Sequence, residues 1–212
     1  MEHSDEFLRF AKSVHGGITS RSDLEDYDLA ALAKLEGSER EAAKLMCLEK
    51  LEERAEDPRA PRALVRLGDP SAVPAMRDAL AAYRPNNTKV ALAEALWELE
   101  QSEEAIEALQ EILGGAARNE RVRNRAAYAL AKINDPRADD ALAVAMQNDS
   151  SSSVRISAET ALYQKHRIDD LMYRKPEGLA DIDARLRSGD AEVRRAAIDD
   201  FGAEARRLKS KS

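Results

Sequence analysis

The sequence contains few cysteine, histidine and aromatic residues, and the scarcity of these residues excludes several classes of protein. A single cysteine, Cys47, cannot form a disulfide within the chain, which excludes a disulfide-stapled scaffold. One cysteine and three histidines offer no zinc-site spacing and no nucleophile–base pair on serine or cysteine. No apolar run approaches the roughly 18 residues that span a bilayer, and the acidic N-terminus has no apolar signal segment. We therefore expect a cytoplasmic, non-enzymatic protein that binds no metal.

Small and charged side chains dominate the composition. The 212 residues are 43% apolar and 34% charged but only 4% aromatic, and alanine recurs in pairs such as Ala126-Ala127. Small side chains with few β-branched ones favour closely packed helices over sheets. The net charge of −7 argues against a nucleic-acid-binding surface. The acidic excess is greatest before residue 69, which favours docking of a basic partner in the N-terminal half.

An internal repeat of about 33 residues runs through the chain. The pair Asp69-Pro70 returns at Asp135-Pro136, two repeat lengths later, and a variant opening at Gln101-Ser102 lies between them. Each Asp-Pro predicts a helix start, because the carboxylate accepts hydrogen bonds from free amides and proline fits the first turn. A second helix follows a polar loop in each copy. One such pair cannot cover its own apolar face, so neighbouring pairs must stack.

The repeat motifs resemble those of a known family. The opening Asp-Pro-x-Ala-Val-Pro-Ala at Asp69 and the second-helix motif Val-Arg-x-x-Ala-Ala-x-Ala-Leu at Val122 resemble HEAT-like repeats of the short, bacterial, bilin-lyase-like type. The resemblance is strongest over residues 57–164 and departs at Lys89, where an arginine is usual. It implies an all-α, right-handed α-solenoid of stacked antiparallel helix pairs, a HEAT-like superhelix. It specifies the fold rather than an activity.

Breaks in the repeat pattern predict three parts. Residues 1–36 are expected to form an N-terminal helical cap, residues 37–202 the solenoid, and residues 203–212 a basic, disordered tail. In the flank, capping boxes at Ser22 and Ser38 should each open a helix, and Gly37 should end the first of these. The repeat units are expected at residues 38–68, 69–100, 101–134, 135–166 and 177–202.

The most regular polar feature is a cation near the start of each second helix. These cations are Lys89, Arg123, Arg155 and Arg194. The HEAT resemblance implies that they form a structural ladder, each near a loop or helix-start carboxylate of an adjacent unit, with Asp69 and Asp135 as candidates. The alternative is a basic track that binds phosphates, as in HEAT-like DNA glycosylases, and the negative net charge opposes it.

Aromatic residues also recur on the second helices. Trp97, Tyr128 and Tyr163 align on one helix face, and the resemblance places second helices on the concave surface of the solenoid. If exposed, these rings would be typical binding hot spots; otherwise they fill gaps between helices where alanine would leave voids. The expected partner-binding stripe comprises Glu94, Trp97, Glu98, Tyr128, Lys132, Thr160 and Tyr163.

The function favoured by the sequence is a protein–protein interaction module, acting as a scaffold, adaptor, inhibitor or immunity-type binder. Another protein is the expected partner, with no cofactor, small-molecule ligand or membrane. The resemblance leaves open a bilin-lyase-like or phycobilisome-associated factor that binds a tetrapyrrole and its carrier protein. Attachment chemistry would then need a reactive group, and Cys47 is the only thiol. A HEAT-like nucleic-acid-binding protein is the second alternative.

Overall fold

All regular secondary structure in the computed structural model is helical over the residues it describes, namely 3–16, 26–54, 56–168 and 177–210. The prediction of an all-α protein is therefore confirmed. The helices are α1 (Asp5–His15), α2 (Leu29–Leu32), α3 (Gly37–Glu52), α4 (Arg59–Leu67), α5 (Val73–Ala82), α6 (Asn87–Glu100), α7 (Glu103–Glu111), α8 (Glu120–Ala131), α9 (Pro136–Asn148), α10 (Ser152–Lys165), α11 (Glu177–Leu186) and α12 (Ala191–Lys209). A 3₁₀ turn, Pro70–Ala72, leads into α5, and a π-helical turn, Ile112–Ala116, continues α7.

The chain divides into two compact units, residues 1–108 and 109–212. This division differs from the predicted cap, solenoid and tail, because the boundary falls within α7. The tail prediction is wrong for the described residues. Helix α12 continues to Lys209, and Ala205 within it is 2% exposed, so this segment is helical and partly packed.

In the first unit, α4 and α5 pack against α6, and α3 packs against α4. The hydroxyl of Ser4 caps α1 by accepting a hydrogen bond from the amide of Phe7. The predicted capping box at Ser38 is wrong: α3 begins at Gly37, and Glu39 instead accepts hydrogen bonds from the amide and hydroxyl of Ser4. Gly37 has the expected positive φ, but it opens α3 rather than ending a helix. The box at Ser22 lies outside the described residues.

In the second unit, α10 packs against both α8 and α9, so the two second helices α8 and α10 lie side by side. The carboxylate of Asp135 caps α9 by accepting a hydrogen bond from the amide of Arg137, as its Asp-Pro motif predicts. The last pair is arranged differently, because α12 packs against both α11 and α9. Phe201 of α12 lies edge-on to Tyr163 and His166, with ring centroids 5.0 and 5.1 Å apart.

Two adjacent glycines in the π-helical turn have different backbone requirements. Gly115 has φ of 111°, a value that L side chains rarely adopt, whereas Gly114 has no such conformation. A Cβ added at either position would meet open space. The difference between them is therefore one of backbone strain alone.

Gly115→Ala should lower the free energy of unfolding by about 1–2 kcal/mol, because alanine must adopt a strained positive φ. Gly114→Ala is the matched control, and it should be neutral or stabilise by up to about 1 kcal/mol. Urea unfolding followed by circular dichroism measures both changes. Equal effects of the two substitutions would contradict the assignment of strain to Gly115.

Candidate functional site

The arginines of the predicted ladder bind the backbone of their own loops. Nη1 of Arg123 donates to the carbonyls of Ala117 and Arg118, at 2.8 and 3.2 Å. Arg155 donates to Asp149 and Ser150 at 2.7 and 3.3 Å, and Arg194 donates to Ser188 and Gly189 at 3.0 and 3.2 Å. In every case the carbonyls belong to the sixth and fifth residues before the arginine. Each guanidinium therefore holds the loop that precedes its own helix.

The carboxylate that binds Arg123 is Asp149, rather than Asp69 or Asp135, which the sequence suggested. Nε and Nη2 of Arg123 donate to the two carboxylate oxygens of Asp149, at 2.8 and 2.9 Å. This pair joins α8 to the loop before α10. Asp135 instead binds Arg137 while it caps α9. Asp69 is bound by Lys44, and hydrogen bonds from Lys44 and Ser71 lower its pKa to about 2.

The pair between Arg123 and Asp149 is buried. The two side chains are 9% and 5% exposed. Burial by itself would raise the pKa of Asp149, but hydrogen bonds from Arg123 and the Ser151 amide, with the charges of Arg123 and Arg155, outweigh it and lower the pKa. Asp149 is therefore ionised at neutral pH. Breaking such a pair leaves an uncompensated buried charge.

The aromatic residues of the predicted stripe have different environments. Tyr163 is fully buried against Phe201 of α12, and burial raises the pKa of its hydroxyl. Its inclusion in the partner-binding stripe is therefore wrong, because it fills the junction with the last helix. Tyr128 is 40% exposed. Trp97 is half-buried on α6 in the first unit, where Glu94 is also half-buried and Glu98 is exposed.

An exposed surface lies along α8 and α10 in the second unit. Hydrogen bonds from Asn124 to Ser153 and from Ser151 to Glu120 join the two helices at their N-terminal turns. Ile156 is 59% exposed and lies one turn before Thr160. The repeat pattern did not indicate it as a surface residue. We call this surface the α8–α10 face; its residues are Arg121, Tyr128, Lys132, Ile156 and Thr160.

Cys47 lies in a buried polar environment and is poorly suited to nucleophilic chemistry. It is 0% exposed, and burial together with the charge of Asp57 raises its pKa to about 12. Asp57 binds Arg59 at 2.7 Å and accepts a hydrogen bond from the hydroxyl of Tyr27 at 2.9 Å. The guanidinium of Arg59 also lies over the Tyr27 ring. Because Asp57, Arg59 and Tyr27 bind one another, we interpret these buried polar groups as a structural cluster.

A groove of about 660 Å³ lies between the π-helical turn and α9. Leu113, Ala141 and Val144 contribute apolar walls, and Arg123 and Asp149 also line the groove. The charged groups in that pair are bonded to each other rather than directed at a ligand. Among the described residues, no group of three histidine, cysteine, aspartate or glutamate side chains could hold a metal ion.

Comparison with known families agrees with this architecture. Residues 83–163 match the family described as HEAT repeats. This part of the chain therefore contains HEAT-like repeats, and the all-helical structure of the described residues is consistent with an α-solenoid. No curated protein and no solved structure matches it significantly. Within the described ranges, no helix is both long enough and apolar enough to cross a membrane.

Tyr163→Ala should lower the free energy of unfolding by about 3–5 kcal/mol, because it leaves a cavity against Phe201. Tyr128→Ala, an identical change on an exposed ring, should cost under about 1 kcal/mol. Thermal and urea unfolding of the two variants measure the difference. A similar loss in both would contradict the contrast in packing between these residues.

Asp149→Asn should lower the free energy of unfolding by about 3 kcal/mol at pH 7, because Arg123 loses its charged partner. The folded-state pKa of Asp149 lies below the unfolded-state value of about 3.9, so its contribution is complete above about pH 5. That contribution is lost as the pH falls through the folded-state pKa. The difference in free energy of unfolding between wild type and variant should therefore decrease as the pH falls below about 4.

Urea unfolding at a series of pH values tests this linkage. Asp199→Asn, on an exposed position of α12, is the matched control and should change stability little at any pH. If the difference in free energy of unfolding between wild type and Asp149→Asn stayed constant into the acid range, the ionised pair would not contribute to stability.

Proposed function

We propose that the protein is a non-enzymatic interaction module, acting as a scaffold, adaptor or inhibitor, and that a partner protein binds the α8–α10 face. One observation carries this proposal: Tyr128 and Ile156, on neighbouring second helices, are 40% and 59% exposed. HEAT repeats in general mediate protein–protein interactions.

The chemistry of the α8–α10 face is that of a typical interface. Tyrosine offers a large contact area with little conformational entropy to lose, and a polar group for a hydrogen bond. Exposed isoleucine gains free energy when a partner removes it from water. Arg121 and Lys132 are exposed on the same face and supply the polar surroundings that interface centres usually have. The face therefore combines apolar anchors with a charged rim.

The half-buried Trp97, with Glu94 and Glu98, supports a second contact region on α6 in the first unit. We include these three residues in the proposed interaction surface of the protein. The two regions have different charge, because α6 contributes carboxylates and the α8–α10 face contributes cations.

The two alternatives are less well supported. Attachment of a bilin through the protein's thiol conflicts with the burial and raised pKa of Cys47. Non-specific binding of nucleic acid requires many free cations, whereas Arg123, Arg137 and Lys165 are each bound to a carboxylate of the chain. The net charge of −7 also opposes phosphate binding.

The test is an affinity capture of the partner from cells of the source organism, followed by binding measurements with the purified pair. Tyr128→Ala and Ile156→Ala should each weaken binding by about five- to tenfold or more, that is, by at least about 1 kcal/mol. Calorimetry gives the dissociation constants, and melting curves verify that each variant is folded.

Leu45→Ala is the matched control for this experiment. Leu45 is 51% exposed on α3 in the first unit and does not belong to the α8–α10 face, so its removal deletes a similar exposed apolar group that is not part of that face. Its substitution should leave affinity unchanged. If Tyr128→Ala and Ile156→Ala bind as tightly as Leu45→Ala, the partner does not use the α8–α10 face.

A further inference from the structure

Arg155 is held in the same way as Arg123, but no carboxylate among the described residues takes the place that Asp149 has at Arg123. Its Nη1 binds two carbonyls of its own loop, as Nη1 of Arg123 does. In Arg123 the remaining donors, Nε and Nη2, bind both oxygens of Asp149. In Arg155 these two donors have no hydrogen-bond partner in the described parts of the chain, and the side chain is only partly buried. The fork of two donors is therefore held in position by Nη1 and is not used by the described residues.

The next helix pair explains why the second carboxylate is missing. Asp149 lies six residues before Arg155, and the residue six before Arg194 is Ser188. Serine cannot supply the ionised bidentate acceptor that a guanidinium fork prefers. The last pair is also packed differently, because α12 contacts α9 and brings Nε of Arg194 to 3.6 Å from Asp140. The repeat interaction therefore stops at Arg155.

The carboxylates nearest to Arg155 along the chain bind other arginines. Asp149 is bound by both Nε and Nη2 of Arg123. Glu159, one helical turn after Arg155, binds Arg187 at 3.0 Å. Neither carboxylate therefore hydrogen-bonds to Nε or Nη2 of Arg155, although the charge of Arg155 also acts on Asp149. A complementary ligand at this position must bring its own negative charge.

We propose that the partner binds through an acidic segment whose aspartate or glutamate carboxylate bonds to Nε and Nη2 of Arg155. This inference rests on the proposed function and names the partner chemistry at Arg155, which lies on α10 next to Ile156 of the α8–α10 face. Ile156 follows Arg155 directly and is 59% exposed, so an apolar residue next to the acid packs against it. Ser152 and Ser153, exposed at the start of α10, flank the same site. The preference for an acidic segment differs from the basic partner that the charge distribution along the sequence favours.

The loop that contains Asp149 provides a probe for this site. A blocked peptide with the sequence of residues 145–152 carries the carboxylate that completes the fork of Arg123. Titrated into the ¹⁵N-labelled full chain, it should shift the Nε–Hε resonance of Arg155 in a saturable way. The peptide with asparagine in place of aspartate should bind at least about tenfold more weakly, because it loses the charge-assisted bidentate bonds.

Variants of the protein provide the matched controls. Arg155→Lys keeps the charge and loses the fork, so it should weaken peptide binding at least about tenfold, whereas Arg195→Gln, exposed on α12, should leave it unchanged. Melting curves show whether Arg155→Lys is folded. The proposal is overturned if the peptide causes no saturable shift at Arg155, if the asparagine peptide binds equally well, or if Arg155→Lys binds like wild type.

The purified partner separates this proposal from the proposed function. Weakening by Tyr128→Ala but not by Arg155→Lys would leave the interaction module standing and overturn the acidic-segment proposal. Weakening by neither would overturn both. Analytical ultracentrifugation tests a second copy of the chain as the occupant: association with increasing concentration, lost in Arg155→Gln, would replace the foreign acidic partner with self-association.

Discussion

The bond between a second-helix arginine and the carbonyls of its own loop is the interaction on which the second unit depends. A polar loop between two packed helices leaves carbonyl groups at least partly shielded from water in most of these cases, and unsatisfied buried carbonyls are costly. One Nη1 satisfies two of them in Arg123, Arg155 and Arg194. Since this leaves Nε and Nη2 available, the same side chain can also bind the neighbouring pair. Arg123 does so through Asp149, and thereby joins two successive repeats.

The spacing of the ladder cations and the Asp-Pro start of α9 could be predicted from the sequence, because both depend on local backbone geometry. The partners of the cations could not. Asp135 carries the repeated motif but is used as a helix cap, whereas Asp149 lies in a loop of variable sequence. Which carboxylate a long guanidinium reaches depends on the conformation of that loop. Repeat alignment does not contain this information.

The different environments of Tyr128 and Tyr163 could not be predicted from repeat alignment either. Both lie on second helices at positions that alignment assigns to one stripe, yet one is 40% exposed and the other is fully buried. The difference arises because α12 packs against α9 and brings Phe201 onto Tyr163. A long-range contact of this kind has no local signature. The wider interval before Arg194, about 39 residues instead of about 33, is the one sign in the sequence that the last pair departs from the repeat.

The interaction that joins repeats within the chain also sets what the chain can bind. Arg123 presents two donors to the loop of the next repeat, whereas the same donors of Arg155 meet no such carboxylate in the last helix pair that the structure describes. An exposed isoleucine alone would bind many apolar surfaces with little discrimination. A guanidinium fork beside it adds a requirement for a carboxylate, because a neutral group would leave the charge partly desolvated and unpaired. In the proposed complex, Arg155 supplies selectivity and Ile156 supplies contact area.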